Sequence, residues 1–160
     1  MAIFPRLDEL DSALLEVLQT DARMTNRDLA AAIGVAPSTA LERLRSLRER
    51  GVITQFRLDL DLKQLGRPVE ALISVRLRPQ SRKIIHGFRD FVLQLPETVA
   101  VFIVTGEDDM LVHVAVPDTQ HLQDFFLDRL TKRPEIHSAK TSVLYEHHQR
   151  DLLEVFPSQR

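Results

Sequence analysis

The sequence predicts an α+β protein in two parts, a helix-turn-helix unit followed by a ferredoxin-like βαββαβ sandwich. Three observations carry that expectation. Apolar residues recur at helical spacing as far as Leu47 and at two-residue spacing from Val69. Glycines and prolines (Gly34, Pro37, Gly51, Pro96, Pro134) punctuate the joints between periodic segments. The later segments run strand, helix, strand, strand, helix, strand, and right-handed crossovers close that order into one sheet with both helices on one face.

The first helix is marked by Leu10, Leu14, Val17 and Leu18, with Asp8 and Asp11 near its N-terminal end, where the helix dipole favours acids. Asp21-Ala22-Arg23 breaks the pattern. Thr25 followed by Asp28 resembles a capping box and opens a short helix through Leu29 and Ala32. Gly34 supplies a turn, Pro37 suits a first helical position, and Ala40, Leu44 and Leu47 form a third apolar stripe that Gly51 ends. Residues 52–60 turn β-like, and 58–68, with Gly66 and Pro68, read as a linker. The expected domains are therefore 1–57, a linker 58–68, a sheet domain 69–145 and a C-terminal tail 146–160.

In the sheet domain Val69, Ala71, Ile73, Val75 and Leu77 alternate with Glu70, Ser74 and Arg76 as a strand. Ile84, Ile85, Phe88, Val92 and Leu95 mark a helix closed by Pro96. Residues 98–105 and Met110–Val116 are strands around a turn at 106–109. Asp118 caps a helix through Leu122, Phe125, Phe126 and Leu130, and a fourth strand covers Ile136–Leu144. In 99–104 and Met110–Val116 nearly every position is apolar, so neither sheet face is written for water. Two helices cover one face. A second copy of the sheet is the expected cover for the other, the mostly polar tail 145–160 being the alternative.

Composition narrows the function classes. With 160 residues, 44% hydrophobic and 28% charged, the chain is a folded protein of one or two small domains. The absence of cysteine excludes disulfides, thiolate metal sites and cysteine catalysis. No apolar run approaches the roughly 20 residues of a membrane helix, and residues 1–8 lack the apolar core of a signal peptide, so a cytoplasmic location and no membrane partner are expected. The six histidines form no His-Glu-x-x-His motif, and His113, on an apolar strand, reads as a packed or interface residue. No nucleophile elbow, phosphate loop or dinucleotide fingerprint occurs, so no catalytic residue, metal or cofactor is expected.

The formal charge is −2, yet 37–57 carries five arginines against Glu42 and Glu49, a local +3. With Ala40, Leu44 and Leu47 inward, the outward face of the third helix is expected to carry Ser38, Thr39, Glu42, Arg43, Arg45 and Ser46. Short hydroxyls near the helix start and long arginines are the inventory for double-stranded DNA. Arg43 is the leading candidate for base or phosphate contact, with Arg45, Arg50 and Arg57 positioning the backbone. The alternative is a solvated face of Arg–Glu pairs.

Leu7-Asp8-Glu9-Leu10-Asp11, Asp21-Ala22-Arg23, Asp28-Leu29-Ala30, Ile33-Gly34-Val35, Pro37-Ser38, Arg43-Leu44, Gly51-Val52-Ile53 and Leu65-Gly66, followed by Thr105-Gly106-Glu107-Asp108-Asp109-Met110-Leu111-Val112, resemble the Lrp/AsnC ("feast/famine") transcriptional regulators over about Leu7 to Leu144. The resemblance implies an N-terminal winged helix-turn-helix and a C-terminal effector domain that dimerises through its sheet. It further implies assembly of homodimers to octamers, and promoter occupancy that changes when an amino acid binds between subunits. Two departures stand out: Ala36 replaces the usual Ser at the recognition-helix N-cap, and Asp108 stands where an aromatic residue is common.

On that resemblance the 106–109 loop becomes an effector site. N–H groups beside Gly106 would take an α-carboxylate, the carboxylates of Asp108 and Asp109 an α-ammonium, and Thr105 and Met110 would line the pocket. Read without it, the loop is an ordinary polar hairpin turn. Two other functions stay open: a sirohaem decarboxylase-like enzyme, since those enzymes resemble these regulators over both halves, and a DNA-architectural protein without an effector.

Overall fold

A computed structural model describes residues 6–155. The outermost residues of the first expected domain and of the expected tail, 1–5 and 156–160, lie outside the described residues. The chain divides into two compact units: residues up to Leu58 joined by the C-terminal segment from His148, and 59–147 between them.

The first unit is three helices, α1 (Glu9–Thr20), α2 (Asn26–Ala32) and α3 (Pro37–Glu49). Asp8 caps α1 by accepting from the Asp11 N–H at 2.8 Å. Thr25 caps α2 through the Asp28 N–H, and its hydroxyl donates to the Asp28 carboxylate at 2.6 Å, so the capping box forms with Asp in the place of Glu. Between α2 and α3, Gly34 takes φ +70°, a left-handed conformation that glycine adopts without Cβ strain. The Asn26 side-chain amide donates to the Pro37 carbonyl at 2.8 Å and ties the start of α2 to the start of α3. Leu14, Leu18, Leu29 and Leu47 form the core, with Leu7, Leu44, Val52 and Ile53 against it.

Beyond Gly51 the structure departs from expectation. Residues 52–60 form no strand, although Phe56, Leu58 and Leu60 alternate with Arg57, Asp59 and Asp61. A strand exists only where its N–H and C=O groups find a backbone partner, and no element of the described chain pairs with this segment.

The second unit is a four-stranded antiparallel sheet, β1 (Val69–Leu77), β2 (Thr98–Ile103), β3 (Met110–Val116) and β4 (Ile136–Leu144), in the order β2-β3-β1-β4. That is the expected βαββαβ sandwich. Helices α4 (Arg82–Val92) and α5 (Thr119–Asp124) pack on one face. Phe88, Val92, Leu122, Phe125 and Leu130 meet Ala71, Ile73, Val75 and Leu77 of β1 and the even positions of β3, from Met110 to Val116, in one core. Each fully buried aliphatic or aromatic side chain there contributes about 1.5–3 kcal/mol.

Asp118 caps α5 as expected, accepting from the His121 N–H at 2.7 Å, but the helix does not run on as α. Phe125–Leu130 is π-helical, with the Thr131 N–H reaching the Phe126 carbonyl. A uniform α-helix would carry Leu130 away from the stripe begun by Leu122 and Phe125. The wider i→i+5 turn returns it to the sheet, where it is fully buried.

The opposite sheet face carries Leu72, Leu111 and His113, while Phe102, in register with Leu111 on the edge strand, is 50% exposed. Of the expected tail, His147 sets its ring edge-on to His113 on this face. Tyr145 is exposed, and the segment from His148 belongs to the first unit, where Leu153 exchanges two hydrogen bonds with the Gln19 side chain.

Candidate nucleic-acid interface and effector pocket

Helix α3 begins without a side-chain cap, because Ala36 occupies the N-cap and offers no acceptor. Its inward stripe holds Ala40 and Leu47, both fully buried. On the opposite side, Ser38, Glu42 and Arg45 follow at i, i+4 and i+7 and are all exposed, while Thr39 is half-buried on the flank. Arg48, also exposed, flanks this stripe on the other side. Among the described residues neither Arg45 nor Arg48 has an ion-pair partner.

Arg43 departs from its expected outward placement. It sits three residues after Ala40 and four before Leu47, on the edge of the buried stripe. There its guanidinium meets the Asp8 carboxylate at 2.6 Å and Asp11 at 3.2 Å. Asp11, only 1% exposed, also accepts from Arg50 at 3.0 Å, and Arg50 donates to the Arg6 carbonyl. The Asp11 N–H and then Arg43 hold the Asp8 carboxyl below its ordinary range, and Asp8 in turn raises Arg43. The physical reason is the helix dipole seen from two sides. The acids that cap and favour the start of α1 are also the nearest counter-charges for arginines leaving the inner edge of α3. Spacing alone identified Arg45 as outward and missed Arg48. The signal for Arg43 was the Asp8 and Asp11 pair, read only as a helix-start feature.

In the second unit the 106–109 loop is built around an acid that faces inward. Gly106 takes φ +131°, and Thr105, Gly106 and Glu107 are exposed while Asp108 is half-buried. The Asp109 carboxylate, 9% exposed, accepts from the Leu77 N–H and from the Gln80 side-chain amide, both at 2.7 Å. The Asp109 N–H donates to the Val75 carbonyl at 3.0 Å. Asp109 thus braces the end of β1. Met110 is fully buried in the helix-side core, so the expectation that it lines a pocket is corrected. Its position in β3 in register with Val75 turns its side chain under the helices.

Beside this brace lies an open surface groove lined by Arg76, Arg78, Pro79 and Gln80. Sequence reasoning did not single out these residues. The available signal was Arg76 and Arg78 alternating with the core positions Val75 and Leu77 at a strand end. His113 is packed as expected, with its Nε2 2.8 Å from the Glu70 carboxylate and its ring edge-on to His147. Among the described residues no group of three or more His, Asp or Glu is arranged to hold a metal, and no helix is long and apolar enough to cross a membrane.

Residues 70–152 match the family model for the Lrp/AsnC ligand binding domain, and residues 7–54 match the winged helix-turn-helix DNA-binding model. The HTH-type transcriptional regulator AldR of Mycobacterium tuberculosis is 38% identical over 141 residues, which span 88% of this chain and 79% of AldR. Transcriptional regulator AzlB of Bacillus subtilis is 35% identical over 138 residues, 86% of this chain and 88% of AzlB. Among solved structures, a transcriptional regulator of Neisseria meningitidis in its L-Met complex is similar with a TM-score of 0.84. Its identity to this chain is 29%, over 92% of this chain and 97% of that one. AsnC of Escherichia coli is similar with a TM-score of 0.81 at 27% identity, over 93% and 99% of the two chains.

Proposed function

The chain belongs to the Lrp/AsnC family of transcriptional regulators, DNA-binding proteins with an effector domain, and from that premise we propose that it reads operators with Ser38, Thr39, Glu42 and Arg45 and senses an amino acid beside the 106–109 loop. The observation that carries the reading is the exposed stripe Ser38–Glu42–Arg45 on α3, whose arginine has no ion-pair partner among the described residues. Hydroxyls at the helix start and an arginine two turns on suit base edges and phosphates in a major groove. The uncapped N-terminus of α3 leaves N–H groups for a DNA phosphate where a serine cap would compete. Arg48 joins as a backbone contact, and Arg43 and Arg50 act by fixing α3 against α1.

The effector reading has support from the L-Met complex of the Neisseria meningitidis relative. Here Thr105, Gly106 and Asp108 form the accessible rim of the loop, with Asp109 as its brace. The protein acts as a homodimer through the open sheet face, assembling further to an octamer, in the cytoplasm. A dimer presents two recognition helices to half-sites about one helical turn apart, and an effector shifts assembly only by binding one arrangement better than another.

The test is selection of duplexes from a random pool by the purified protein, repeated with each L-amino acid. Enrichment of an inverted-repeat motif, with occupancy changed by one amino acid, is the expected result. A pool that stays unenriched contradicts the DNA reading, and a motif indifferent to every amino acid contradicts the effector reading.

A further inference from the structure

Helix α4 carries two locally destabilising features on the side it turns away from the sheet. Its inward stripe is Ile85, Phe88 and Val92, with Phe88 and Val92 buried in the sheet-domain core. The opposite stripe is Arg82, Lys83, His86, Gly87 and Asp90, all exposed. Arg82 and Lys83 stand in the first turn, where the helix dipole disfavours cations and no acid offsets them. Gly87 sits in mid-helix without the positive φ that would call for glycine. A Cβ added there meets nothing within 4 Å, so none of the described residues excludes a side chain. Glycine nevertheless weakens a helix relative to alanine. Packing within the sheet domain explains neither feature.

Charge on this face is unbalanced as well. Residues 78–90 carry Arg78, Arg82, Lys83 and Arg89 against Asp90 alone, a local +3 in a chain of formal charge −2. Asp90 is taken by Arg89, at 2.8 Å from Nε and 2.7 Å from Nη2. Arg82 and Lys83 have no ion-pair partner among the described residues. Ser81 caps the helix by accepting from the Ile84 N–H at 3.3 Å, so the side of α4 rather than its end is left open.

Charge also decides the occupant. A second copy seated here by two-fold symmetry would set cations against cations, a costly juxtaposition. Duplex DNA instead offers one negative charge per about 1.7 Å of its axis, and a glycine in the middle of the stripe lets a phosphate strand approach the helix backbone closely. We propose that the outward face of α4 is a second DNA contact, in which Arg82 and Lys83 hold the phosphate backbone and Gly87 permits the close approach. Such a contact is independent of base sequence. The inference rests on the DNA-binding function and goes beyond the recognition-helix reading, because it puts DNA on the effector domain as well as on α3.

The experiment is a salt-series titration of the full chain with two long duplexes, one containing the selected operator between flanks and one of scrambled sequence. The variants are Arg82→Gln with Lys83→Gln, singly and together, and Gly87→Ala and Gly87→Gln. Lys132→Gln, which removes the same charge from an exposed lysine already paired with Asp128, is the control. The double variant should lose about tenfold on both duplexes alike, with a salt slope lowered by about one for each charge removed per bound protomer. The Gly87 variants should melt at a higher temperature than wild type without DNA, as helix propensity requires, and yet bind both duplexes more weakly. Lys132→Gln should bind as wild type, and the mass by light scattering should be the same throughout. Wild-type affinity and slope in the double variant, unchanged binding in the Gly87 variants, or an equal loss in Lys132→Gln overturns the proposal. A loss confined to the operator duplex overturns it in favour of base reading, and a fall in mass overturns it in favour of a contact between copies. If the wild type binds neither duplex, it is the DNA-binding function itself that fails, and the proposal with it.

Discussion

Asp11 is the most consequential single charge in the first unit. It is almost fully buried and bonded to two guanidiniums that each keep about a third of their side-chain surface in water (37% and 30%). Replacing a fully buried partner costs about 3–5 kcal/mol. With both arginines able to rehydrate, Asp11→Ala should cost about 2 kcal/mol, read by urea unfolding at neutral pH. Asp8 brings a pH dependence of definite sign. Its carboxyl is lowered first by the Asp11 N–H and then by Arg43, so its contribution is complete above the ordinary carboxylate range. It is lost as pH falls below about 4 through the depressed value. Asp8→Asn should therefore lower stability near neutrality and flatten the acid limb of the stability curve. An unchanged acid limb would remove Asp8 from that role. Asp109→Ala leaves the buried Leu77 N–H unpaired and should cost about 1–3 kcal/mol. It should weaken effector binding by loosening the loop that Asp109 braces, so a loss of binding there reports positioning rather than direct contact.

Elements show where local rules sufficed and where they did not. The strands β1 and β3 were legible to the residue because period-two alternation in one, and a nearly unbroken apolar run in the other, meet a sheet that uses those positions. The capping residues Asp118 and Thr25 were legible because a side-chain acceptor at a helix start has one local task. The π-helical turn at Phe125–Leu130 was not, since only the sheet beneath it decides where Leu130 must face. Residues 52–60 carry a strand pattern that no partner on this chain completes, and Met110 sits at a hairpin end where either face is plausible from sequence. The inward Arg43 follows the same logic, because its partners lie 32 and 35 residues earlier. Met110→Leu, which nearly conserves volume, should cost less than about 1.5 kcal/mol and leave ligand affinity unchanged. Met110→Ala should cost about 2–5 kcal/mol. A specific loss of ligand affinity in Met110→Leu at wild-type stability would return that side chain to the pocket.

For the whole molecule, the proposed function gives pairing to the sheet and reading to the helices. Phe102 at 50% exposure, with Leu111 and Leu72 on the face away from the helices, is apolar surface that a second sheet would bury. Phe102→Asp should shift the mass in dilute solution toward the protomer and weaken DNA binding with it, measured by light scattering. An unchanged mass would move the interface elsewhere. Pairing matters because one recognition helix reads few base pairs, and a second on the same protein face multiplies affinity without new chemistry. The claim on which this depends is that the outward stripe of α3, and not its inward arginines, touches DNA. The most direct test is an anisotropy titration of the selected duplex over a salt series, comparing wild type with Arg45→Ala. A loss of about tenfold or more, with the salt slope reduced by about one per binding helix, is predicted; wild-type affinity and slope in Arg45→Ala would contradict the account.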